Sequence, residues 1–286
     1  MRSSKAKPNQ WAKAGMAVAA FLALLLCIPC ATAMTLTQIG KASCDTAANT
    51  CSTTASGSVA VGGTVMVIAV IGQSAPTAII VSDNAKTANC GGAYTVQTAN
   101  ITSGATATTV IAFCSVTAGT ITSGATCGAG GTSQCAFAIT YAGTAAPTML
   151  AAYAVTGNAQ ATFFDKQGSK ATGQWTSGSA VAGANSGAVA WSSEDIISVL
   201  NVPLSSSADT VGSYTGGYTA VSAFPGSSNR PGLWIAKQTI ATGTAQVGFT
   251  PTSAATRAFL SQTFSFVNAG ATATARPMRT FLGVGQ

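Results

Sequence analysis

The chain is built from short apolar runs separated by breaks rich in glycine, serine, threonine and asparagine. The runs are residues 65–71 (VMVIAVI), 78–81 (AIIV), 107–113 (ATTVIAF), 135–141 (CAFAITY), 149–155 (MLAAYAV), 196–202 (IISVLNV), 233–240 (LWIAKQTI) and 259–267 (FLSQTFSFV). Each has the length of a strand, and several are rich in β-branched residues. Past the first 33 residues no stretch combines a helical apolar period with capping signals. The run 65–71 is apolar at every position, as a strand buried on both faces would be. Many short strands joined by turn-rich connections predict an all-β fold, an antiparallel β-sandwich of jelly-roll type. No fixed repeat period and no internal linker is visible.

The N-terminus follows a different logic. Arg2, Lys5, Lys7 and Lys13 precede an apolar stretch over residues 15–28, then Pro29 and the small-residue trio Ala31-Thr32-Ala33. This is the order of a signal peptide, residues 1–33, with a peptidase site before Met34. The apolar stretch falls short of the roughly 20 residues of a spanning helix, so no stable membrane insertion is expected after cleavage. Neither Cys27 nor Cys30 follows the small residue that lipidation requires. Residues 34–268 are read as one disulfide-stapled sandwich domain and 269–286 as a loose tail. The expected location is extracellular or at the cell surface, with the periplasm as an alternative.

Charge narrows the functional classes. Only 7% of the residues are charged, against about 25% in an ordinary soluble domain. Four of the 13 basic residues lie in the leader. The remainder are scattered, so no nucleic-acid partner is read from the high isoelectric point. Histidine is absent, which removes the commonest general base and zinc ligand. No cofactor is called for.

Six cysteines follow the leader: Cys44, Cys51, Cys90, Cys114, Cys127 and Cys135. Six allow 15 pairings. Spacing favours the local staples Cys44–Cys51 and Cys127–Cys135, which leaves Cys90–Cys114. No Cys-x2-Cys pair supports a zinc site instead.

Several short patterns occur in a suggestive order. A glycine turn enters a buried strand at residues 61–70 (VGGTVMVIAV), and a strand-Asp-turn follows at 81–85 (VSDNA). A strand ends at 114–120 (CSVTAGT) and another starts at 194–199 (EDIISV). Then come a Gly-Tyr-Thr turn at 217–219 and a long strand with a glycine turn at 234–244. Over residues 57–268 this order resembles a jelly-roll-type β-sandwich domain that recurs in bacterial secreted proteins and phage structural proteins. The resemblance implies a non-enzymatic surface, adhesion or assembly role, and it brings no catalytic residues with it.

Candidate sites are few. Trp175, Tyr214 and Tyr218 lie in polar, glycine-rich surroundings and are the aromatics that would stack on a sugar in a carbohydrate-binding module, with ordinary partial burial as the simpler reading. Asp83 and Asn84 are weak calcium candidates, explained more simply by Asx-turn chemistry. A secreted glycan hydrolase or lyase would need two of Asp165, Glu194, Asp195 and Asp209 to converge across one bond, and the adjacent pair Glu194-Asp195 points to opposite faces of a strand. The leading expectation is a secreted, non-catalytic structural, adhesive or virion-associated protein. Its expected partners are another copy of itself, an envelope polymer or a glycan.

Overall fold

The computed structural model describes residues 31–44, 49–54, 59–60, 63–73, 75–83, 94–101, 107–116, 120–121, 136–159, 163–226, 230–253 and 255–273. The residues before Ala31 and after Ala273 lie outside them.

The described chain is all β. In the N-terminal half the strands are β1 (Thr35–Cys44), β2 (Thr50–Thr54), β3 (Val59–Ala60), β4 (Thr64–Ile71), β5 (Thr77–Ser82), β6 (Thr95–Ile101), β7 (Ala107–Ser115), β8 (Thr120–Ile121), β9 (Ala136–Ala142) and β10 (Thr148–Thr156). The C-terminal half holds β11 (Phe164–Trp175), β12 (Val181–Asn185), β13 (Glu194–Ser205), β14 (Thr210–Thr215), β15 (Thr219–Phe224), β16 (Arg230–Ile240), β17 (Gln246–Thr252) and β18 (Arg257–Val267).

These strands make four stacked layers. The N-terminal half contributes a five-stranded sheet, β1-β10-β4-β7-β6, and a three-stranded sheet, β2-β9-β5. The C-terminal half contributes β11-β18-β13-β16-β15 and β12-β17-β14. With the two-residue ribbon β3-β8 set aside, the eight strands of each half occupy the same places in the same order. Every pairing is antiparallel. The sandwich expected from the sequence is therefore present twice.

The repeat left faint marks in the chain. Gln38-Ile39-Gly40-Lys41-Ala42-Ser43 of β1 answers Gln167-Gly168-Ser169-Lys170-Ala171-Thr172 of β11, and both strands carry a register shift after the glutamine. Asn158 follows β10 and Asn268 follows β18, and these two asparagines form a bridge with each other. Asn158 Nδ2 donates to Thr64 Oγ1 at 2.8 Å, at the start of β4. Asn268 Nδ2 donates to Ser193 Oγ at 3.0 Å, just ahead of β13, the counterpart of β4.

The five-stranded sheets face one another across a continuous core. Alternation along β4 explains how one strand serves two layers. Val65, Val67, Ala69 and Ile71 point to the outer sheet of their own half, with Phe137, Ile139 and Leu150. Met66, Ile68 and Val70 point to the seam, where they meet Ile197, Val199, Leu233, Ile235, Phe264 and Phe266 of the C-terminal half. β4 is buried at all eight positions, as its unbroken apolar run foretold. In the C-terminal half Trp175, Trp234, Leu200, Phe249 and Phe259 fill the gap between inner and outer sheets.

Across the seam β10 packs on β16, β7 on β13, and β6 on β11 and β18. One flank is closed by Gln167 Nε2 donating to the Thr98 carbonyl at 3.0 Å. On the opposite flank β1 lies near β15, and Lys41 Nζ sits 5.5 Å from the centre of the Phe224 ring. These are the contacts that an approximate two-fold axis between the halves generates.

Residues 269–273, expected to begin a loose tail, are instead tied down. Thr32 bridges Ala269 and Trp191 bridges Ala273. Ser192 N donates to the Thr272 carbonyl at 2.8 Å, and Thr272 N donates to Ser192 Oγ at 2.9 Å. Backbone pairing of this kind needs no apolar side-chain pattern, so the sequence carried no sign of it.

Candidate functional site

The aromatic residues expected to form a sugar platform lie inside the molecule. Trp175 is fully buried at the last position of β11, its ring 5.4 Å from that of Trp234 and 6.3 Å from that of Phe249. Tyr218 is 5% exposed and packs with Ile196, Ala236, Ala245 and Val247. Tyr214 is half-buried against both neighbouring clusters. Burial pushes the hydroxyls of Tyr214 and Tyr218 well above their usual range. A sugar ring has no face of Trp175 or Tyr218 to stack on, and that expectation is corrected. The polar neighbours of Trp175 misled because β11 is an edge strand with one face in solvent. Gly216 and Gly217, both in the left-handed region (φ 73° and 82°), form the turn that brings Tyr218 back under β17. A Cβ at Gly216 would meet the Gln246 carbonyl oxygen at 2.3 Å, so this turn is closed to larger residues.

Four of the five described carboxylates are also buried, Asp165 being the exception. Asp83 is buried and accepts the Tyr94 hydroxyl at 3.1 Å. Burial, with Asp83 adding to it, drives the Tyr94 hydroxyl far above its usual range. Asn84 lies outside the described residues. Among the described residues no group of three or more His, Cys, Asp or Glu side chains is placed to hold a metal ion.

Asp165 pairs with Lys166 at 3.2 Å. Glu194, fully buried at the start of β13, accepts the backbone N–H groups of Ala190 at 2.7 Å and Trp191 at 2.9 Å through Oε1. Burial raises its carboxyl above the ordinary value, and those two N–H donors only partly offset the rise. Its Oε2 has no partner.

Asp209 is fully buried in the β13–β14 connection. It accepts from Ser206 N at 2.7 Å, Ser205 Oγ at 3.2 Å and Ser253 Oγ at 2.6 Å, and pairs with Arg257 at 3.2 Å. Burial alone would raise its carboxyl, but the Ser253 and Ser206 hydrogen bonds and Arg257 together hold it below the ordinary value.

Asp195 occupies the end of the seam. Its carboxylate is fully buried. Oδ2 accepts Met34 N at 2.5 Å and pairs with Lys237 Nζ at 3.3 Å, while Oδ1 accepts the Thr239 hydroxyl. Glu194 and Asp195 diverge to opposite faces of β13, as the strand period requires. A hydrolase or lyase needs two carboxyl groups open to one substrate bond, and Glu194, Asp195 and Asp209 have no exposed surface.

The Cys44–Cys51 disulfide is formed as expected, tying the end of β1 to β2 across a Cα separation of 5.5 Å. Cys114, on β7, is also disulfide-bonded. Its partner lies outside the described residues, as do Cys90, Cys127 and Cys135. A small surface cavity of about 400 Å³ opens on the β1–β15 flank, lined by Lys41, Ala42, Ser43, Met149, Phe224 and Pro225. It contains no carboxylate. No helix among the described residues is long and apolar enough to cross a membrane.

Sequence reasoning passed over Met34, Asn158, Asn268 and Lys237, which knit the seam. The signal for two of them was present as the Asn-Ala step that ends each half at Asn158-Ala159 and Asn268-Ala269. No protein-family model matches the chain, and no curated protein matches it.

Proposed function

We propose that the chain is an exported, non-catalytic β-scaffold that acts through its surface in a structural or adhesive role, on a cell envelope or as part of a virion. The observation that carries this reading is the fate of its acids. Asp83, Glu194, Asp195 and Asp209 are each spent on an internal hydrogen bond or ion pair, and the partly exposed Asp165 pairs with its neighbour Lys166. With histidine absent and the other described carboxylates buried, the described residues set no second carboxylate beside Asp165 for a substrate. What the described surface does offer is hydroxyl and amide groups on strands such as β11, β14 and β15, the last two without a charged residue. Such surfaces fit a second copy of the chain, an envelope polymer or a glycan. A disulfide is compatible with an oxidising compartment.

Fractionation of the producing cells and of any particles they release tests this reading. The protein is expected in a fixed ratio to other components of the envelope or particle, and to stay there through a salt wash. Recovery solely as a free protein that cleaves polysaccharide, with the cleavage lost in Glu194→Gln, would overturn it.

A further inference from the structure

Two acceptors converge on one backbone nitrogen. Met34 N lies 2.5 Å from Asp195 Oδ2 and 3.1 Å from Asn268 Oδ1. A peptide nitrogen carries a single hydrogen, which these two acceptors must share. One of the two is a carboxylate with no solvent exposure, on a strand at the centre of its sheet. The Met34 side chain is buried in the seam core with Phe163 and Phe266. The Met34 carbonyl is held in turn by Lys237 Nζ. Both polar ends of this residue and its side chain are therefore fixed by the C-terminal half. Thr32 and Ala33, directly ahead of it, are exposed.

Met34 is also the residue that follows the Ala31-Thr32-Ala33 peptidase signature. We propose that Met34 is the amino terminus of the exported protein, and that its α-ammonium docks on Asp195 and Asn268 to lock the two halves at their seam. The inference shares with the functional reading only the step of export. Cleavage is hydrolysis of the Ala33–Met34 peptide bond by a leader peptidase, acting before the chain folds. One water is consumed. Its oxygen stays on the Ala33 carboxylate, which departs with the leader, and the amine left on Met34 is protonated at neutral pH.

Three hydrogens then replace one. One reaches Asp195 Oδ2, a second reaches Asn268 Oδ1, and the third faces the side that Ala33 has vacated. The described groups facing the ammonium are Asp195, Asn268 and Lys237. Lys237 and the ammonium share the single negative charge of Asp195, and Lys237 is the partner that reaches solvent, its side chain 18% exposed. Among the described contacts, loss of residues 31–33 removes one backbone hydrogen bond, from Thr32 N to the Ala269 carbonyl. Ala269 keeps its own N–H bond to the Gly157 carbonyl.

Intact mass and N-terminal peptide mapping of the exported protein give the first reading, and native-state reductive dimethylation gives the second. A chain beginning at Met34 is expected. Its α-amine should label about tenfold more slowly in the native protein than in the unfolded chain, because an ion-paired amine holds its proton. In Asp195→Asn and Asn268→Leu the native rate should approach that of the unfolded chain. The wild-type comparison stands alone if either variant fails to fold. An uncut leader overturns both this inference and the export reading. A start at another residue, or a Met34 amine that labels equally fast in native and unfolded protein, overturns this inference and leaves the functional reading intact.

Discussion

The two halves of this molecule share a strand order and differ in how they are fastened. All six cysteines that follow the leader fall in the N-terminal half, and Trp175, Trp191 and Trp234 all fall in the C-terminal half. The N-terminal outer sheet is anchored by the Cys44–Cys51 bond at β2. The C-terminal outer sheet has no cysteine and rests on large rings, with Trp175, Trp234, Phe249 and Phe259 in edge-to-face contact. Four of the five described acids lie in that half as well, where Asp209 ties the β13–β14 connection to Arg257 at the start of β18. A three-stranded sheet is near the smallest size that holds together, and it depends on a well-fastened apolar face. One half meets that need with a covalent cross-link and the other with aromatic packing and buried polar struts.

This contrast can be broken most severely from the aromatic side. Trp234→Ala removes the ring between Trp175 and the C-terminal sheets and should cost about 3–5 kcal/mol, measured by denaturant unfolding. Hydrogen exchange should rise first in β12, β14 and β17. Equal loss of protection in β2, β5 and β9 would mean that the halves are not fastened separately.

The covalent side gives the next effect. Cys44→Ser with Cys51→Ser opens a short loop and should cost about 2 kcal/mol in the chain-entropy model, with exchange rising around β1 and β2. The same pair of changes should leave the β13–β14 connection untouched.

Ser253→Ala removes one donor from the buried Asp209 carboxylate and should cost about 1–2 kcal/mol. Its effect carries a pH signature. The folded Asp209 carboxyl lies below its ordinary value, so its stabilising contribution is present above the unfolded value and disappears as pH falls through the folded one. With Ser253 removed, acid unfolding should begin at higher pH, and an unchanged acid midpoint would contradict the assignment. Glu194 has the opposite sign. Its folded carboxyl is raised by burial, so ionising it costs stability as pH rises through and above its ordinary value. Glu194→Gln keeps an oxygen for Ala190 N and Trp191 N and removes that penalty. It should raise stability at neutral pH, seen as a small increase in melting temperature.

Much of the architecture was legible in the chain, and particular residues show where legibility stops. The run 65–71 announced a strand buried on both faces, and β4 is that strand. Alternation at Glu194-Asp195 correctly predicted their divergence. The doubling was hidden because β patterns repeat every two residues whatever the topology. The one echo, Gln38 to Ser43 against Gln167 to Thr172, is short and polar. Of the two readings open for Trp175, burial holds; its polar neighbours in sequence suggested exposure because on an edge strand they face the other way. The Met34–Asp195 contact joins residues 161 apart, and no local pattern encodes a pairing at that separation.

The edge strands bear on how the molecule can meet others. Setting the small ribbon aside, the four sheets have eight outer strands, and register shifts interrupt β1, β5, β11, β12, β14 and β15. Such irregularities spoil the straight ladder of donors and acceptors that an incoming chain would copy. Fibre growth by templated zippering is thereby discouraged along most of the perimeter, with β2 and β6 the unbroken exceptions. A coat or lattice made from this protein would be tiled by abutting broad faces and loops, so its subunits could be parted without unravelling any of them.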